Sequence, residues 1–227
     1  MTGAIDWHSE IAAEFDARYE FSPAFRERLD VWSALIDTYG GPDSDVLDAG
    51  CGSGVMTSAA AAKVKSVLGF DASPQMIGLA RQRCKLLDNA DFKVGRLGDR
   101  DIAAGRTFDV ILCSSVLEYV DDLDGALDWL ITKLKPGGIL LVSMPNGASL
   151  YRKVERLAFK LTGRPRYYAH VRHVPMAAEF GLRLNGRELA VLETRHYAGP
   201  AMVRKLLGPH LGGNLFVVAA GLGTPDQ

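Results

Sequence analysis

Apolar positions follow two rhythms along this chain. Between residues 8 and 38 they recur every three or four positions, as Ile11, Phe15 and Tyr19, then Phe25, Leu29, Trp32 and Leu35. That spacing is the stripe of amphipathic helices, and Pro23 predicts a break between two of them. Gly40-Gly41-Pro42 then closes the helical stretch. From there to about residue 145, short apolar runs alternate with helical segments, which predicts a parallel sheet with helices on both faces. The runs lead into Asp48, Asp71 and Cys113, and through Leu134 to Val142. Glu188 to His196 and Asn214 to Gly221 read as two more strands.

One segment stands apart. Residues 149 to 162 predict a helix with Leu150, Tyr151, Val154, Leu157, Ala158 and Leu161 on one face. Arg152, Lys153, Arg156 and Lys160 lie largely off that face, and Arg164, Arg166, Arg172, His170 and His173 follow, with Tyr167 and Tyr168 between. Three readings compete. The helix packs its apolar side on the core with its basic side in water; it lies on an anionic membrane through residues 149 to 166; or it is a lid over a greasy acceptor.

The most informative run is Val46-Leu47-Asp48-Ala49-Gly50-Cys51-Gly52-Ser53-Gly54, a strand entering three alternate glycines. Such a turn lets a ligand lie against the backbone. It is not a dinucleotide fingerprint, because the sixth position from Gly50 is Val55, and it lacks the lysine of a phosphate-binding loop. The next strand, Ser66 to Asp71, ends in an acid about twenty residues on, where a carboxylate meets ribose hydroxyls. A helix-capping or surface acid is the plainer alternative. Ser73-Pro74 opens a helix whose Met76 and Ile77 are placed to cover an adenine face.

These runs, with Phe108 to Cys113 and Leu134-Lys135-Pro136-Gly137-Gly138 through Val142, resemble the ordered motifs of class I S-adenosylmethionine-dependent methyltransferases over residues 40 to 145. The resemblance implies a single α/β domain with a Rossmann-like, seven-stranded, mostly parallel sheet closed by a C-terminal hairpin. Its parts would be an N-terminal helical cap (1–40), a cofactor-binding core (41–145), a helical lid insertion (146–187) and the strand hairpin (188–227). It implies S-adenosyl-L-methionine as cofactor. Asp48, Gly50, Cys51 and Gly52 would face the methionine part, Tyr19 its carboxylate, Asp71 the ribose, and Ala72 and Met76 the adenine. Arg96 and Leu97 stand where many relatives carry an acid for the adenine amino group, so their backbone, or Asp99, would serve instead. Cys113 and Ser114 would close the fourth strand beside the sulfonium.

The fourth strand also narrows the acceptor. Cys113-Ser114-Ser115-Val116 lacks the Asn/Asp-Pro-Pro-aromatic run of nucleic-acid base methylases, and no carboxylate sits there to hold a hard metal ion. A metal-independent transfer to oxygen or nitrogen of a small aromatic or lipid-like molecule is the expected activity, with no nucleic acid as partner. The basic insertion is partly similar to one in ubiquinone-biosynthesis O-methyltransferases. The alternative is a protein or RNA methyltransferase that docks through residues 152 to 173. Glu118, in Val116 to Val120, reads either as a substrate contact or as a solvated helix acid. His170 and His173 are the candidate bases, against a structural role for each, while His8, His196 and His210 read as structural.

Composition changes little. The chain has 227 residues, 48% hydrophobic and 23% charged, and suits one α/β domain. A net charge of −1 gives no global pull toward nucleic acid. Three cysteines without ligand spacing fit a reducing compartment. The acidic start (Asp6, Glu10) and the lack of a long apolar run predict a cytoplasmic protein with neither signal peptide nor membrane span, with peripheral membrane contact left open.

Overall fold

The computed structural model describes residues 2–223. Three helices come first: α1 (Thr2–Glu10), α2 (Ala12–Phe21) and α3 (Pro23–Tyr39). Pro23 makes the predicted break, in the first turn of α3 behind an extended Ser22. A second break at Ile11 and the early start of α1 were not predicted, because the apolar stripe continues across Ile11 and periodicity is blind to it.

The sheet follows: β1 (Asp45–Ala49), α4 (Val55–Ala61), β2 (Ser66–Asp71), α5 (Pro74–Arg83), β3 (Ala90–Val94) and β4 (Phe108–Ser114). After a 3₁₀ turn (Leu117–Tyr119) come α6 (Leu123–Ile131), β5 (Leu134–Pro145) and α7 (Leu150–Thr162). A second 3₁₀ turn (Arg166–Ala169), α8 (Ala177–Asn185), β6 (Leu189–Tyr197), α9 (Ala201–Gly212) and β7 (Leu215–Leu222) complete the chain. The strand order is β3-β2-β1-β4-β5-β7-β6, and β7 alone runs against its neighbours. The order reverses between β1 and β4, so a crevice opens where their carboxyl ends part.

Alternation along the strands divides the core into two layers. Leu47, Ala49, Leu68, Phe70, Ile111 and Cys113 face one side, with Leu127 and Leu130 of α6 and Phe180 of α8 packed on them. Val46, Val67, Val110, Leu112 and Val217 face the other, under Trp32 and Ile36 of α3 and Met56 and Ala60 of α4. This is the helix-sheet-helix sandwich that fully apolar strands require.

The insertion differs from the core-packed reading. No residue of α7 is buried, and its apolar face looks outward, with Val154 64% and Leu161 77% exposed. The inward side carries Arg152, whose Nε donates to the Asn214 carbonyl at 2.6 Å. Periodicity locates an apolar face but does not say which way it turns. Among the described residues no helix is long and apolar enough to cross a membrane.

Asn146, fully buried at the end of β5, fastens this region. Its Nδ2 donates to the carbonyls of His210 and Gly213, and its Oδ1 accepts from the Ala148 N–H. Asn146→Ala strands three main-chain groups, and a destabilisation on the order of 3 kcal/mol is expected from urea denaturation.

Candidate functional site

Tertiary structure gathers one cavity of about 300 Å³ at the β1/β4 parting, toward the small end for ligand pockets. Its floor is the glycine turn. Gly50 and Cys51 both donate to the Phe70 carbonyl, at 2.8 and 2.9 Å, so the turn is clamped to β2. Gly50 has φ +73°, and a Cβ there would stand 2.3 Å from Val116 Cγ2. Gly54, at φ +78°, lies so close to α5 that a Cβ would meet Ala80 Cα at 2.9 Å.

Asp71 is set by two backbone donors. Gly52 N–H reaches its Oδ2 at 3.0 Å, and Ser73 N–H reaches Oδ1 at 2.8 Å. One lone pair on each oxygen remains for the cavity that the residue lines. Ser73 also caps α5 through Met76 N–H, so strand end, turn and helix start share one network. Asp48 is buried and accepts from Thr57 Oγ1 at 2.6 Å. Burial, with Asp71 nearby, pushes its carboxyl up to about 6.

Of the residues predicted for the cofactor, Tyr19, Asp48, Gly50, Cys51, Gly52, Asp71, Ala72, Met76, Arg96, Leu97 and Ser114 line the cavity. Cys113 does not; it points into the core beneath α6, because side chains alternate along β4. Asp99 does not reach in either. Its Oδ2 accepts from the Arg96 N–H at 2.7 Å and its own N–H donates to the Arg96 carbonyl, which closes that loop on itself.

The two candidate bases lie outside the wall. His170 stacks on Trp7 at 5.5 Å. His173 Nε2 bonds the Val120 carbonyl at 3.0 Å, and the N–H groups of Arg172 and His173 donate to the Glu118 carbonyl. Both histidines hold the insertion against its neighbours. His8, read from sequence as structural, is in the wall instead. Its ring sits edge-on to Tyr119 at 4.9 Å. Its Nδ1 lies 2.7 Å from the Ala4 carbonyl, so Nδ1 carries the proton and Nε2 is the unprotonated nitrogen, with no hydrogen-bond partner among the described residues. Burial lowers its pKa, which keeps the ring neutral near pH 7.

Arg28 was missed as well. It donates to the Ser114 carbonyl at 2.8 Å and to Ser114 Oγ at 2.7 Å, and it lines the cavity. The signal was present: Arg28 lies three residues after Phe25 and four before Trp32, on the buried side of α3. Glu118 is no solvated acid. It is buried in the wall, and burial pushes its carboxyl up to about 7. Among the described residues no group of three or more metal-type ligands converges.

A family model described as a methyltransferase domain matches residues 21–194. A demethylmenaquinone methyltransferase of Tropheryma whipplei is 38% identical over 99 residues, 43% of this chain and 40% of that protein. A ubiquinone biosynthesis O-methyltransferase of Xanthomonas oryzae is 34% identical over 122 residues, 52% of this chain and 49% of that protein. The chain therefore spans half or less of these curated relatives. The N-methyltransferase NodS of Bradyrhizobium japonicum, solved with S-adenosyl-L-homocysteine, shares the fold with a TM-score of 0.68 at 21% identity, over 92% of this chain and 91% of that one. The chain belongs to the methyltransferase domain family.

The buried acids set a pH dependence. Asp48 and Glu118 hold their protons more tightly folded than unfolded, so these two groups bind more protons in the folded chain between about pH 4 and 7, while His8 and His196, whose pKa burial lowers, act in the opposite sense. The stability that the two acids contribute to the ligand-free protein is expected to be fullest at the acid end of this window and to fall as pH rises through about 6 to 7. Glu118→Gln should flatten that fall, recovering up to about 3 kcal/mol at pH ~8 in denaturation curves.

Proposed function

We propose that this chain transfers a methyl group from S-adenosylmethionine to an oxygen or nitrogen of a small molecule. The observation that carries this is Asp71 at the end of β2, in the wall of the cavity, its two oxygens fixed by backbone donors beside a turn too tight for side chains. A carboxylate so held suits the two hydroxyls of a ribose. The residues present fit the rest of the cofactor. Ser53 Oγ is buried beside the turn with no partner, Met76 and Ala72 offer an apolar wall, and Arg28 sets a cation in the same cavity for a carboxylate.

Bound, the cofactor supplies a methyl group already activated by its sulfonium charge. The chain has to orient the acceptor and exclude water. Phe15, Tyr19 and Phe25 form an edge-to-face cluster over the cavity, and Trp7 and His8 of α1 add to that cover. His8 Nε2, neutral and bare, takes the proton that a hydroxyl or ammonium acceptor gives up. Docking of protein or RNA through residues 152–173 has less support. Arg152 turns inward and Arg172 pairs with Asp121, which interrupts the basic surface. The outward apolar face of α7, beside α9 with its exposed Met202 and Leu206, favours contact with an anionic lipid surface flanked by Lys153, Arg156 and Lys160.

Asp71→Ala should weaken S-adenosyl-L-homocysteine binding by about 100-fold in calorimetry, the loss of two charge-assisted hydrogen bonds. Unchanged affinity rejects the ribose assignment. Incubating small-molecule extracts with enzyme and labelled cofactor should yield a compound heavier by one methylene in mass spectrometry. Label found only on protein or RNA points to the other acceptor class. Reversing Lys153, Arg156 and Lys160 to Glu should lower sedimentation with anionic vesicles several-fold. If the wild-type chain ignores such vesicles, the lipid contact is wrong.

A further inference from the structure

Among the described residues, three that line the cavity carry a buried atom without a partner: Ser53, whose Oγ beside the glycine turn is given to the cofactor above, and two others of opposite polarity. Glu118 is 3% exposed, and its Oε2 accepts no hydrogen bond. Arg152 Nη1 is enclosed and donates none, although the Nε of the same side chain is committed to Asn214. They come from separate elements, the 3₁₀ turn after β4 and the first turn of α7, and both side chains are in the wall. The other candidates there are already assigned or engaged. Arg28, bound to Ser114, is given above to the cofactor carboxylate, and the Tyr167 hydroxyl donates to Glu155 at 3.0 Å. A buried acceptor and a buried donor left open in one cavity are costly unless a ligand completes them.

We infer that the methyl acceptor is a small molecule bearing, apart from the group that is methylated, both a hydroxyl or amine N–H, donated to Glu118 Oε2, and an anionic oxygen, received by Arg152 Nη1. This rests on the methyl-transfer reading above. Trp7, Tyr119, Val120 and Tyr167 supply the wall around these two groups and suit a flat apolar body joining them. The two anchors enforce each other. A molecule with the anion alone leaves Glu118 unpaired, and one with the hydroxyl alone leaves Arg152 unpaired. Discrimination then comes from unsatisfied groups rather than from size.

The methionyl end of the cofactor also carries an amine and a carboxylate, so the test separates the two sources. The probes are 2-, 3- and 4-hydroxybenzoate, with phenol and benzoate as single-group controls, titrated into protein saturated with S-adenosyl-L-homocysteine. At least one hydroxybenzoate is expected to bind about tenfold or more tightly than either control. Arg152→Met should reduce its affinity to that of phenol and Glu118→Leu, which removes the acceptor, to that of benzoate, while both variants keep S-adenosyl-L-homocysteine affinity within about threefold. The inference is overturned if no isomer exceeds the controls, or if the substitutions weaken S-adenosyl-L-homocysteine as much as the hydroxybenzoate. The comparison on the unaltered chain decides the matter even if a variant fails to fold. Failure of the unaltered chain to bind S-adenosyl-L-homocysteine strikes the methyl-transfer reading itself.

Discussion

The carboxylate of Asp71 joins the parts on which the cavity depends, because each of its oxygens takes a backbone N–H from a different element. One comes from the glycine turn after β1 and the other from the start of α5. The turn is held from behind by the Phe70 carbonyl, which receives both Gly50 and Cys51. Main-chain donors therefore fix the acid without using its side toward the cavity. That is preorganisation: the charged group is in place before any ligand arrives, and its desolvation is partly offset by the two N–H dipoles.

The cover over this site is built from two distant pieces of chain that meet. α1 brings Trp7 and His8, and the insertion brings His170 onto Trp7. The same insertion is tied to the turn after β4, because Arg172 and His173 donate their main-chain N–H groups to Glu118 and the His173 ring bonds Val120. The histidines of the insertion thus position a residue of the wall, while the histidine of α1 faces the cavity.

Burial of charge is concentrated around the cavity. Asp48 and Glu118 are held with raised pKa values by the loss of water around them. The same desolvation raises the thiols of Cys51 and Cys113, which leaves them inert as nucleophiles. Elsewhere charges are paired at the surface, as in Arg187 with Asp124 and Asp128. Such contrast marks the cavity as the place where the fold tolerates cost for chemistry.

The sheet was legible along the chain because it is local. β2 begins and ends where the apolar run Ser66 to Asp71 does, and the glycine turn and Asp71 declare themselves by spacing. Glycine at positive φ and an acid at a strand end are requirements of backbone geometry, which sequence encodes directly. The roles of Arg28, His8 and Arg152, the outward turn of α7 and the exclusion of Cys113 from the wall were not legible in that way. Each depends on what lies opposite a helix face or a strand face after folding, and a period of 3.6 or 2 carries no record of the opposing surface. Sequence alone determined the run of strands along the chain and the glycine turn. Tertiary packing decided which charged groups lost their water and met in one cavity, since desolvation is a property of the assembled surface and not of any one segment.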